Sequence, residues 1–252
     1  MENVKRLPSV EKPWMQFFSE KAQKAEVPKE TIYEAIVRRN KGFENNVAMN
    51  YFDRKITYRE LIDQSNNAAA AFESLGVKKG DIVACATVTF PEPVYSLYGL
   101  NKLGATIITL DPRLTAEQMK EFIDRSGAKI LLLVDLFYDK LKDDLQKMGL
   151  EQIIIISADT SLPKAIKFVK QFKMPAPKIK EEGNVITWNT FAKNGTTDPE
   201  ASYTAAYGEN DCAAITLTGG TTGMPKGVML SHDGFNAIAT SFENCGVSYT
   251  RD

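Results

Sequence analysis

Short, unbroken apolar runs alternate along this chain with segments that carry helix-start and helix-stop chemistry, and that alternation restricts the fold more than any other feature. DIVACAT (81–87), ATIITL (105–110), KILLLV (129–134) and QIIIIS (152–157) are continuously apolar rather than alternating. As strands they need cover on both faces. Between them, Thr57-Tyr58-Arg59-Glu60 reads as a capping box that opens a helix through about Leu75, with Gly76 as its stop. Pro91 starts a helix that ends at Gly104, a second box runs from Thr115 to Gln118 and opens a helix that stops at Gly127, and a further helix runs through Met148. Residues 14–25 and 31–40 read as amino-terminal helices, the second ended near Gly42. Strands and helices in this order predict an α/β fold with a doubly wound, mostly parallel sheet flanked by helices.

Residues 158–210 break the rhythm. LPKAIKFVKQFK (162–173) places Leu162, Ala165, Ile166, Val169 and Phe172 on one stripe, with lysines at 164, 167, 170 and 173 around it. An ordinary surface helix has this pattern, and so does a helix resting on an anionic membrane, so weak peripheral membrane contact is the alternative expectation. Around it the chain is rich in Pro, Gly and charge, with VITWNTFA (185–192) as one short ordered piece.

LTGGTTGMPKGV (217–228) carries the chemistry. Gly219, Gly220, Gly223 and Gly227 can turn successive backbone N–H groups toward an anion with no β-carbon in the way. Thr218, Thr221 and Thr222 add hydroxyl donors, and Pro225 stiffens the approach to Lys226, a compact ammonium suited to a polyphosphate oxygen. A P-loop needs its lysine between a glycine and a Ser or Thr; here Pro225 precedes Lys226 and Gly227 follows. No glycine triple has the G-x-G-x-x-G spacing of dinucleotide or kinase loops. AAITLT (213–218) lies upstream and VMLS (228–231) downstream, so the loop joins two strands rather than a strand to a helix. Unliganded, residues 219–226 are expected to be mobile, because they bury little that offsets their ordering entropy.

TGGTTGMPKG followed by VMLSH resembles the phosphate-binding signature of the adenylate-forming (AMP-binding) superfamily, which includes acyl- and aryl-CoA synthetases, luciferases and the adenylation domains of peptide synthetases. Residues 56–84 and 98–132 are similar to two further blocks of that family, and the likeness runs from about Thr31 onward. The resemblance implies an acid–thiol ligase: ATP and a carboxylate give an acyl-adenylate and pyrophosphate, then the thiol of CoA displaces AMP. It implies that Thr218, Gly219, Gly220, Thr221, Thr222, Gly223 and Lys226 hold the β- and γ-phosphates, with Mg²⁺ bridging them. The double glycine resembles the long-chain fatty-acid CoA ligase version. Enzymes of the family are roughly twice as long, so the resemblance implies an amino-terminal half that is inactive alone. No catalytic residue is assigned within the chain. The expected organisation is amino-terminal helices (1–50) that pack on a second subdomain, an α/β subdomain (51–231) ending in the loop, and the start of the second subdomain (232–252). Alternatives are an amino-acid-activating adenylation domain and a non-catalytic nucleotide- or phosphate-binding module.

Composition narrows the partners. Lys plus Arg number 31 against 32 Asp plus Glu, a net charge of -1, so no field draws nucleic acid. No apolar stretch approaches a membrane span, and the first residues lack the apolar core of a signal peptide. Cys85, Cys212 and Cys245 are scattered and fit free thiols in a reducing, cytoplasmic setting rather than a disulfide frame or metal site. His232 is the only histidine, which excludes a multi-histidine metal site; capping the next helix or packing under the loop is favoured over lining the acyl region.

Other polar and aromatic features read as structural. Tyr95 and Tyr98 are spaced as core residues of a helix. Asp111-Pro112-Arg113 follows a strand and reads as a loop salt bridge, with a site pair as the rival. Trp14 and Tyr33 are expected to pack on a neighbouring subdomain. Faces carrying Trp14, Phe17, Phe18, Ile32, Ile36, Phe235 and Ile238 are expected to lack cover, giving self-association.

Overall fold

A computed structural model describes residues 8–173, 177–219 and 225–244. In chain order the elements are α1 (Pro8–Glu11), a 3-10 turn (Pro13–Phe17), α2 (Glu20–Gln23), α3 (Ile32–Arg39), β1 (Val47–Tyr51), β2 (Arg54–Thr57), α4 (Tyr58–Ser74), β3 (Ile82–Ala86), α5 (Pro91–Lys102), β4 (Thr106–Leu110), α6 (Ala116–Ser126) and β5 (Ile130–Val134). A 3-10 turn (Asp135–Phe137), α7 (Tyr138–Leu145), β6 (Gln152–Ile156), α8 (Lys164–Lys173), β7 (Val185–Thr187), α9 (Trp188–Lys193), β8 (Cys212–Leu217), β9 (Gly227–Ser231) and α10 (His232–Asn244) follow.

Helix starts follow the caps. Thr115 Oγ1 accepts the amide of Gln118 at 3.2 Å while the Gln118 side chain accepts that of Thr115 at 3.1 Å, a complete box. Thr31 and Glu34 form another at the start of α3. Thr57 makes only half of one: its hydroxyl accepts from Glu60, but the Glu60 carboxylate pairs with Arg54 instead of turning back. Gly76 and Gly127 end α4 and α6 at φ of 86° and 71°, where a side chain would be strained.

Seven strands form one sheet in the order β7-β6-β5-β3-β4-β8-β9, parallel except for the antiparallel β8–β9 pair at the edge. Alternate residues of each central strand feed two cores. Val83, Cys85, Leu132 and Val134 face α4 and α5; Ala84, Ala86, Leu131 and Leu133 face α6 and α7. The expected doubly wound sheet is therefore present, and the apolar runs are continuous because both faces are covered. Helices α4 and α5 approach closely at Gly99, where a Cβ would lie 2.8 Å from Ser65 O. Buried between α3, α4 and α5, Asn66 Oδ1 accepts from Tyr33 OH at 2.6 Å and from Lys102 Nζ at 3.1 Å.

Several local expectations are corrected. Residues 14–25 are not one helix: Phe18 is extended, and Ser19 starts a new one by accepting the amide of Ala22. Residues 185–192 divide into β7 and α9, because Thr187 caps a helix inside the run. The β1–β2 hairpin was not anticipated; Phe52 and Asp53, both at positive φ, form its turn. Tyr33 packs within this chain, on α4, instead of waiting for a neighbour. Ile32 is buried, and Ile36 and Phe235 pack on the core, whereas Trp14, Phe17, Phe18 and Ile238 are exposed. Tyr95 is buried as core. No helix among the described residues is long and apolar enough to cross a membrane.

Candidate functional site

The loop is closed at its neck by two hydrogen bonds between Thr218 and Lys226. The amide of Thr218 donates to the Lys226 carbonyl at 2.9 Å, and the amide of Lys226 donates to Thr218 Oγ1 at 3.0 Å. Thr216 pairs with Val228 and Leu217 with Gly227 just outside, so the loop crowns an antiparallel hairpin, as expected from its flanks. Thr218 thus spends a lone pair on the neck while its hydroxyl hydrogen remains available. Gly219 has open space where a Cβ would stand. Gly220, Thr221, Thr222 and Gly223 lie outside the described residues, and so does most of the segment expected to be mobile.

Beneath the neck lies a cavity of about 690 Å³, lined among others by Thr87, Thr89, Thr109, Asp111, Arg113, Thr218, Gly219 and Pro225. Its walls are the carboxyl ends of β3, β4 and β8. The connection leaving β4 crosses back over β3 to β5, whereas the one leaving β8 turns outward to β9, so the order reverses between β4 and β8. Crevices at such reversals are where doubly wound sheets bind ligands, since the two outgoing connections diverge there. Thr109 Oγ1 donates to the Ile215 carbonyl at 3.3 Å, tying β4 to β8 under the cavity.

Asp111 and Arg113 form the expected ion pair, and it lies on this wall. Arg113 Nη2 donates to Asp111 Oδ2 at 2.6 Å, and its Nε and amide both reach Oδ1 at 2.9 Å. These bonds hold the Asp111 carboxyl below the usual range, Arg113 being the main cause. The threonines after β3 and at the end of β4 were not singled out from sequence; a hydroxyl following an apolar strand run is the available signal.

His232 is buried at the start of α10, and its Nδ1 accepts the amide of Ile32 at 3.2 Å. It does cap a helix, but the earlier one, α3. Burial holds its pKa below the ordinary value, against the opposing pull of Asp211, Asp233 and Glu34. Cys85 is buried, its thiol pushed up to about 11 by desolvation, which removes it as a nucleophile. Cys212 is also a free thiol, and Cys245 lies outside the described residues. Among the described residues no group of three or more His, Cys, Asp or Glu side chains could hold a metal ion.

At the amino ends of β3, β5 and β6 a smaller cavity of about 300 Å³ is lined by Gly76, Asp81, Gly127, Lys129 and Glu151, among others. One lysine beside two acids is a poor match for a polyphosphate.

The family model for AMP-binding enzymes matches residues 36–251. The chain belongs to the AMP-binding enzyme family. A long-chain-fatty-acid–CoA ligase of Bacillus subtilis (strain 168) is 25% identical over 230 residues, which cover 88% of this chain and 40% of that protein. 4-Coumarate–CoA ligase 3 of Arabidopsis thaliana is 28% identical over 179 residues, 71% of this chain and 28% of its own length. Among solved structures, a long-chain-fatty-acid-CoA ligase of Archaeoglobus fulgidus superposes with a TM-score of 0.68 at 23% identity, over 89% of this chain and 41% of that one. The AMP-binding chain thus spans less than half the length of these relatives, and its sheet is the fold they share.

Proposed function

We propose that this chain is the phosphate-gripping part of an ATP-dependent acid–thiol ligase, in which a carboxylate attacks the α-phosphorus of ATP to give an acyl-adenylate and pyrophosphate, and the CoA thiol then displaces AMP. The observation that carries the proposal is the loop neck, Thr218 bonded to Lys226, standing over the crevice where the sheet's order reverses. A carboxylate is a poor electrophile until its oxygen is joined to a good leaving group. Thr218, Gly219, Gly220, Thr221, Thr222, Gly223 and Lys226 are assigned to the β- and γ-phosphates, where backbone N–H groups and the ammonium offset charge while the carboxylate approaches in line. Mg²⁺, when bound, would be held chiefly by the phosphates, since Asp111, the one acid among the described residues of the cavity wall, is engaged by Arg113.

A long-chain fatty acid is the proposed substrate. Its support is the Gly219-Gly220 pair and the name of the Bacillus relative, while other relatives are named for coumarate and for crotonobetaine or carnitine. The proposed division, 51–231 flanked by 1–50 and 232–252, is supported by packing of α10 on α2 and α3, while α3 also packs on α5 and so joins the end segments to the α/β subdomain. A cytoplasmic location agrees with the free thiols.

Acid-dependent exchange of pyrophosphate into ATP is the test, run on this chain and on the whole reading frame around it. Exchange with long-chain acids by the whole frame, and none by residues 1–252, is the expected outcome. No exchange by the whole frame with fatty or aryl acids would overturn the ligase, and exchange by the chain alone would overturn the division of labour.

A further inference from the structure

Beside Thr218, Gly219 and Pro225 the crevice is lined by a cation with no assigned task. Arg113 is the sole lysine or arginine among the described residues that line the cavity, and Asp111 is the sole acid. Their side chains are 80% and 41% exposed, so the pair contributes little to stability. Its geometry is nonetheless specific. Among the described residues, the bonds of Arg113 all go to Asp111, through the amide, Nε and Nη2, so the carboxylate grips one edge of the guanidinium and Nη1 takes no part in the grip. A guanidinium fixed in this way loses less freedom when it meets a phosphate than a free lysine would. Leu110 and Leu114, on either side, also line the cavity, so the pair sits on its wall rather than beyond its rim.

We infer that Arg113 is a second anion contact of this crevice, binding the terminal phosphates of a nucleoside triphosphate together with the Thr218–Lys226 neck, and that Asp111 is the residue that positions it. This rests on the assignment of the loop to phosphate. Thr218 and Gly219 line the crevice at the neck of the loop, and Arg113 adds a planar fork to the same crevice. A polyphosphate has the anionic oxygens to meet both contacts at once, and the single phosphate of AMP has fewer. Asp111 lowers the net charge of the wall, and it remains useful because it sets the direction of the guanidinium.

The test is equilibrium binding of ATP, inorganic tripolyphosphate and AMP to the 252-residue chain and to Arg113→Gln, Arg113→Lys, Asp111→Asn and Lys226→Gln. Arg113→Gln is expected to weaken ATP and tripolyphosphate about tenfold while leaving AMP unchanged, and Arg113→Lys to recover part of the loss. Asp111→Asn is expected to weaken tripolyphosphate although it removes a negative charge; tighter binding would overturn the positioning role. Wild-type affinity in Arg113→Gln, with loss in Lys226→Gln, would overturn the second contact and leave the loop intact. Equal loss of AMP and ATP would remove the assignment to the terminal phosphates. Wild-type affinity in both variants, or no ATP binding by the unaltered chain, would remove the loop assignment and this inference with it. All four substitutions are at half-buried or exposed positions, and circular dichroism checks that the fold is kept.

Discussion

The amide of Ile32 donates to Nδ1 of His232, so the first turn of α3 is capped from α10, which follows the phosphate loop directly. Ile32 is the first helical residue, and its N–H has no acceptor within the helix. Protonation of His232 turns Nδ1 into a donor and breaks the cap. Because burial lowers the folded pKa below 6.5, the unfolded chain takes up the proton first. Stability is therefore full above that value and falls as the pH drops below it, until the depressed folded pKa is passed. Asp211, Asp233 and Glu34 face the imidazole and moderate the effect; Lys79 adds to it. Thermal unfolding on either side of that value, with His232→Gln as control, should show a loss in the wild type that the variant lacks. An equal pH dependence in both would contradict it.

Gly99→Ala should be among the most damaging small substitutions. Its Cβ would meet Ser65 O at 2.8 Å and the Ala69 amide nitrogen at 2.9 Å, both backbone atoms of α4. Separating two packed helices costs about 1–3 kcal/mol, read as a lower urea midpoint. A midpoint equal to wild type would mean that the helices part freely.

Removing Asn66 should cost more than removing the charge it serves. Asn66→Leu leaves Tyr33 OH and the Lys102 ammonium short of an acceptor in a buried site, at a cost of about 3 kcal/mol. Lys102→Met keeps the volume, removes the charge and should cost less than about 1.5 kcal/mol. Urea unfolding of both gives the order, and the reverse order would contradict the account.

Trp14 and Phe17, on the 3-10 turn before α2, are 45% and 83% exposed, and Ile238, on α10, is 60% exposed; α2 touches α10. We propose that this face drives self-association, so light scattering should show a concentration-dependent mass that Phe17→Ser combined with Ile238→Ser reduces. A monomer at every concentration would contradict this.

The sheet was legible because its signals are local: apolar runs, threonine caps and glycine stops each act within a few residues. Thr57 could be recognised as a cap, although Glu60 chose Arg54 over it. The β1–β2 turn was not legible, since Phe52 and Asp53 adopt positive φ without the glycine or asparagine that usually marks such a turn. The break at Phe18 was hidden because Trp14, Phe17 and Phe18 are spaced as on a helix. At the site, the loop announced itself by composition, whereas Arg113 was legible as half of a loop salt bridge, with a site pair as the rival. Its place on the cavity depends on β4 lying beside β8, a parallel pairing of Ile107 with Ala214 that no local pattern encodes. The same holds for His232, whose partner is on α3.

The central claim is that the crevice under the Thr218–Lys226 neck binds polyphosphate, and amide chemical shifts during titration with tripolyphosphate test it most directly. The amides of Thr218, Gly219 and Lys226 are expected to shift with saturation, joined by those of Asp111 and Arg113, while Gly76, Gly127 and Lys129 at the amino ends of the strands stay still. Saturable shifts at those amino ends, or none at the neck, would contradict it.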